Sequence, residues 1–194
     1  MKKIAGSAAM MAILLAGCGS KTDVNEKNFS EAIKQSLDKR GYMCFQRTGG
    51  ENIDRLNSSR KAALESAGLA KNEGKHYALT DTAKPFVREV EIHDYSWGVD
   101  VHQGTAPALC WGKMSLDKIV KWEGPAPLKD HQVVTVKLLY KIEDLADWAK
   151  KPEIQTAFPE TKELIESAGK KEFPLKLKLT NIGWEVCESQ TTCQ

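Results

Sequence analysis

Apolar and polar positions alternate most cleanly at residues 133–142, VVTVKLLYKI. Val134, Val136, Leu138, Tyr140 and Ile142 fall on one side, and Thr135, Lys137 and Lys141 on the other. That period of two belongs to a strand with one covered face and one wet face. Leu175, Leu177 and Leu179 alternate with Lys176, Lys178 and Thr180 and predict another strand within PLKLKLTNIGWEV. Between Lys75 and Ile142, the stretches FVREVEIHDY and ALCWGKMSLDKIVKWEG are rich in β-branched and aromatic residues and predict further strands. The Pro-rich EGPAPLKDH reads as a connection ahead of the long strand.

A different period marks the helices. Phe29, Ile33 and Leu37 recur every four residues and form one stripe, stopped by Gly41. Asn28 followed by Glu31 has the spacing of a capping box, so the helix is expected to begin there. A second helix is predicted from Ser58 or Ser59 to Ala67, with Gly68 just beyond its end and the TGGEN loop before it. Helical patterning returns over 143–169, where Pro152 and Pro159 suit first-turn positions and Gly169 closes the run. The sum is an α+β fold, a mostly antiparallel sheet with helices on one face.

Two stretches resemble one another. Glu65 to Gly68 and Glu166 to Gly169 both read Glu-Ser-Ala-Gly, and both lead to Leu-Thr, at Leu79-Thr80 and Leu179-Thr180. The echo is consistent with an internal duplication of a helix–strand unit, or with two helix ends that merely look alike. The expected organisation is a single domain over 28–194, and a duplication would divide it into halves near 28–105 and 106–194.

The N-terminus obeys neither period. Lys2 and Lys3 precede an apolar run from Ile4 to Ala16 and then Gly17-Cys18, the order of a secretory signal. The run is short of the roughly 20 apolar residues that span a bilayer. The stretch Leu15-Ala16-Gly17-Cys18 closely resembles the lipobox of bacterial lipoprotein precursors. That resemblance implies cleavage before Cys18, its diacylation, and a mature chain tethered to a membrane by lipid. Gly19 rather than Asp follows the cysteine, which in that family favours the outer membrane. Residues 1–17 would then be the signal and 18–27 a polar tether.

The signal changes the reading of charge. The formal +2 of the chain resides in Lys2 and Lys3, so the remainder is formally neutral. A neutral body exerts no long-range attraction on nucleic acid. Residues 58–81 are similar to the helix-and-wing part of winged-helix proteins, with Arg60 and Lys61 on the helix, yet Glu65, Glu73 and Asp81 interrupt the basic residues. A structural role suits that segment better than DNA binding.

Export also decides the cysteines. With Cys18 assigned to lipid, Cys44, Cys110, Cys187 and Cys193 remain, an even number in an oxidising compartment. The short CESQTTC spacing favours Cys187–Cys193, leaving Cys44–Cys110 as the long-range pair.

Candidate chemistry is sparse. Ser58-Ser59-Arg60-Lys61 has the Ser-x-x-Lys spacing of penicillin-recognising enzymes, but neither Ser-Asp-Asn nor Lys-Thr-Gly accompanies it. His93 and His102 are expected on opposite strand faces, and no histidine has a metal-ligand neighbour at the usual spacing. No catalytic group, metal or cofactor is therefore expected. A binding surface is expected around Tyr95, Trp97, His102 and Trp111, where Gly-rich turns and aromatics meet. The expected function is that of a lipid-anchored, periplasm-facing envelope protein that acts by binding another envelope protein or as a structural component, and performs no catalysis. The alternatives are an inhibitor or immunity protein against a toxin or cell-wall hydrolase, and an enzyme acting on cell wall or lipid.

Overall fold

The alternating run forms the body of β6 (His131–Glu143), at the centre of a six-stranded antiparallel sheet. The structure, a computed structural model, describes residues 20–45, 53, 56–94, 101–187 and 193. Val134, Val136, Leu138 and Tyr140 are buried, and the positions between them are half-exposed. The sheet runs in the order β1 (Tyr42–Phe45), β5 (Val101–Leu128), β6, β7 (Phe173–Thr180), β8 (Gly183–Val186), and β4 (Val87–Asp94) also pairs with β5. Every pair is antiparallel, so the class is α+β as expected.

β5 departs most from expectation. The expected Pro-rich connection belongs to this strand as far as Leu128, and only Lys129 and Asp130 separate it from β6. Lys129 takes φ 54°, a conformation suited to so short a turn. The ladder with β6 slips between Leu116 and Lys118, between Ile119 and Lys121, and between Glu123 and Ala126. Each slip sets one extra residue of β5 against its partner, which bends and twists the strand. As a result Met114, Leu116, Ile119 and Trp122 all pair with the core-facing positions Ile142, Tyr140, Leu138 and Val136. A further irregularity beside β1 leaves Trp111 without a register partner, so Leu109 and Leu116, an odd and an even position, are both buried in the core.

The C-terminal strand is a hairpin. Thr180 ends β7, and its hydroxyl donates to the Gly183 carbonyl (2.8 Å) to close the turn into β8. Leu177, on the middle of β7, is fully buried.

The helices begin close to the expected places, with different caps. α1 spans Glu26–Arg40, and its N-cap is Asn25, whose side chain accepts from the Asn28 amide (2.9 Å). Asn28 lies one turn inside, so the cap comes three residues before the expected one. α2 spans Ser58–Ser66 and is capped by Asn57, which also accepts from the Ser59 hydroxyl. α3 (Pro152–Ala157) and α4 (Pro159–Ser167) both start on the expected prolines. The TGGEN loop lies outside the described residues.

The Glu-Ser-Ala-Gly echo diverges at the glycine. Gly68 and Gly169 both hold positive φ, 77° and 70°. The Gly68 amide bonds to Glu65 within its own helix end, whereas the Gly169 amide reaches the Tyr140 carbonyl on β6. After Gly68 the chain makes a separate hairpin of β2 (Ala70–Asn72) and β3 (Tyr77–Leu79), and after Gly169 it enters the main sheet as β7. What the two segments share in the structure is a helix end with a positive-φ glycine, and the strands that follow join different sheets.

Two clusters make the core. One gathers Phe45, Leu64, Leu109, Trp111, Trp148 and Phe158 under α2, α3 and α4. The other seats Phe29, Ile33 and Leu37 of α1 on Val134, Val136, Leu138, Leu177 and Trp184. Ile142 and Leu164 touch both, and each cluster draws on residues from either side of position 105. The Tyr140 hydroxyl donates to the Leu164 carbonyl (2.7 Å), fixing α4 to β6, and burial pushes this phenol above its ordinary value. Both expected disulfides form: Cys44–Cys110 joins β1 to β5, and Cys187–Cys193 closes a short loop after β8.

Candidate functional site

Ser20–Asp23, within the segment expected as a polar tether, is fastened to α1 and β8. Asp23 donates its amide to the Ser20 carbonyl (3.0 Å), closing a turn just before the Asn25 cap. The Asn28 amide group then donates to the carbonyls of Ser20 (2.8 Å) and Asp23 (2.9 Å). The Trp184 indole N–H reaches the carbonyls of Thr22 and Asp23, each at 3.2 Å. Gly183 allows the close approach: a Cβ there would come within 3.2 Å of the Lys21 carbonyl oxygen. Asn28 and Trp184 are themselves buried, so the strap rests on groups that have little freedom to move away.

Beside the strap, a groove of about 480 Å³ runs between α1 and β8. α1 contributes Glu31, Gln35 and Ser36 to one wall, and β8 contributes Trp184, Glu185 and Val186 to the other. The Lys113 ammonium donates to Asp38 (2.7 Å) and so pins the far end of α1 to β5; that bond raises the lysine's pKa. The groove is thus held at both ends of the helix.

β8 is the last strand of the sheet and pairs only with β7 among the described residues. The Cys187 amide donates to the Lys176 carbonyl (2.9 Å), which sets the phase of the ladder. In an antiparallel pair alternate residues turn their N–H and C=O toward the partner, so Glu185 and Gly183 face β7. Trp184 and Val186 turn theirs to the open edge, and their side chains are buried in the core. An open strand edge beside a helix can accept an added extended chain, whose backbone completes the ladder.

The positions singled out in the sequence fare differently. Cys18, Tyr95 and Trp97 lie outside the described residues. His102 pairs with His93 across the β4–β5 ladder, so the two positions share one face of the sheet, where opposite faces were expected. Trp111 is 3% exposed and belongs to the core, not to a surface, because the irregularity in β5 turns it inward. The helix and hairpin expected over 58–81 are present, and the two basic side chains of the helix are engaged within the molecule. Arg60 bonds to Glu160 (2.8 Å) and to the Ala157 carbonyl (3.2 Å) and covers the Phe158 ring, while Lys61 lies over Tyr77. Lys61 therefore faces an aromatic ring and not Ser58.

Asn28, Trp184, Gln35 and Ser36 were not anticipated as a site. The available signal was small: Asn28 is a polar residue beside Phe29 on a helix face that packs inward, and such a residue must find a partner. Comparison with protein-family models, curated proteins and solved structures finds no match to this chain.

Proposed function

We propose that this chain is a lipid-anchored protein of the bacterial envelope that faces the periplasm, from the outer membrane, and binds an extended segment of another envelope protein. The anchor rests on the lipobox-like Leu15-Ala16-Gly17-Cys18 and the signal before it. The binding reading is carried by the open edge of β8 beside α1. Trp184 and Val186 present backbone donors and acceptors there, and Gln35, Ser36 and Glu185 offer polar contacts to an incoming strand.

The anchor is tested by Cys18→Ser. The variant is expected to leave the membrane fraction for the soluble one, because acyl chains hold at about 0.8 kcal/mol per buried methylene and a serine offers no thiol to carry them. Unchanged fractionation would remove the anchor from the proposal.

The binding surface is tested by a photo-crosslinking side chain at Gln35, with Thr156 on α3 as the control, in intact envelopes. Irradiation is expected to give a discrete protein adduct from position 35 and none from position 156. No adduct from position 35, or the same adducts from both sites, would overturn the groove as the binding surface.

A further inference from the structure

We infer that the end of the sheet nearest the anchor lies directly on the bilayer and inserts a small apolar cap into it. This inference rests on the proposed acylation of Cys18. It begins with the strap, which fixes Ser20–Asp23 against the β7–β8 turn through Asn28 and Trp184. Cys18 precedes Ser20 by two residues, a reach of about 7 Å when fully extended. A lipid on Cys18 therefore brings the strapped end of the domain to the membrane surface, with only Gly19 between the lipidated residue and the strap.

The register shows what that end contains. Val133 pairs with Lys178, so two residues farther on His131 lies level with Thr180. The β5–β6 turn and the β7–β8 turn therefore project from the same end of the sheet, two strand spacings, about 10 Å, apart. Each carries an exposed aliphatic side chain: Leu128 at 37% and Ile182 at 68% exposure. Val24, 42% exposed, follows Asp23, whose carbonyl accepts from the Trp184 indole, and so belongs to the strap that is fastened to β8. Three of the five large apolar side chains exposed among the described residues thus belong to the two turns at this end and to the strap that leads to the anchor.

The polar residues at this end fit the same placement. Lys21 and Lys129 are exposed there, and Asp23 and Asp130 offset them, so attraction to anionic headgroups contributes little. Burial of Ile182, Leu128 and Val24 at the headgroup–acyl boundary supplies the contact, at about 25 cal/mol per Å² of apolar surface removed from water. Such a cap is too small to hold the protein alone and is large enough to fix the orientation of a domain that the lipid already holds. The groove between α1 and β8 begins at Lys21 and Ile182, so it would open beside the membrane surface.

The test uses the lipidated full chain in phosphatidylethanolamine–phosphatidylglycerol vesicles, with or without a spin-labelled phospholipid. A fluorophore is placed on a single new cysteine in Leu128→Cys, Ile182→Cys or Glu172→Cys. The other cysteines are held in disulfides or by lipid, and Glu172 precedes β7 at the opposite end of the sheet. The labels at 128 and 182 are expected to lose most of their emission to the spin label, and the label at 172 none. Flotation of the protein with the vesicles and an unquenched label at either 128 or 182 would overturn the cap and leave the anchor standing. Equal quenching at all three sites would overturn the orientation. Failure to float would remove the anchor, and the cap with it.

Discussion

Phe29→Ala is expected to lower the unfolding free energy by about 3–5 kcal/mol, as truncation of a fully buried aromatic generally does. Phe29 has no exposed surface, and it meets two indoles edge-on: Trp184 at 5.1 Å and Trp122 at 5.5 Å. Such aromatic pairs contribute about 0.5–1.5 kcal/mol each beyond the area they bury. The ring joins the first turn of α1 to β5 and β8, so its loss leaves a cavity that rigid neighbours cannot close. The strap depends on the same seam, because Trp184 holds both Phe29 and the carbonyls of Thr22 and Asp23. A shift of that size is a large part of the stability of an ordinary domain, about 5–15 kcal/mol. Urea unfolding measures it, and near-ultraviolet circular dichroism follows the two tryptophans. Phe29→Leu should recover part of the loss. A change below about 1 kcal/mol, the range of a surface substitution, would show that α1 is not seated as described.

Phe29 was legible as a core residue because helical periodicity survives in α1. So was β6, where strict alternation matches the burial of Val134 through Tyr140. β5 was legible only in part. Its core-facing residues Met114, Leu116, Ile119 and Trp122 are spaced two, three and three apart. That spacing is closer to a helical period than to a strand's, and residue type alone pointed to a strand. Bulges make the difference: each inserts one residue and resets the phase, and a period read along one chain cannot see the partner strand that absorbs it. Trp111 was drawn into an expected binding surface by the local company of glycines and aromatics, which does not show that the ring packs in the core.

The groove was less legible still. Its walls come from residues about 150 positions apart in the chain, and only the pairing of β7 with β8 and the packing of α1 on β8 bring them together. The fastening of Ser20–Asp23, within the expected tether, was not legible because its hydrogen bonds come from Asn28 and Trp184, which composition does not reveal. Ser20–Asp23 offers only backbone carbonyls to these bonds, and every residue carries one. The disulfide pairing was different: with Cys18 set aside as the expected lipid site, four cysteines leave few choices, and spacing selects among them.

Replacing Cys44 and Cys110 together by alanine is expected to cost about 4 kcal/mol, the loop-closure estimate for their separation of 66 residues. The bond holds a strand of four residues, β1, which gains little from its own ladder. β1 follows α1 directly through Gly41, so a looser β1 also loosens the C-terminal end of the helix that walls the groove. Cys110 is 4% exposed, and alanine fits the space without adding a polar group. Denaturant midpoints measured with and without reductant separate the contributions. Without reductant the variant should unfold at the lower concentration, and with reductant the two chains should approach one another. Equal midpoints without reductant would show that β1 is held by its packing alone, through Phe45 stacked on Phe158 at 4.0 Å. Since that stack belongs to the α2–α4 cluster and the Asp38–Lys113 bond to the α1 side, hydrogen exchange should then show β1 protected and the end of α1 protected with it. If the disulfide carries the load, both should lose protection together in the variant while the amides of β6 keep theirs, because β6 is paired on both sides.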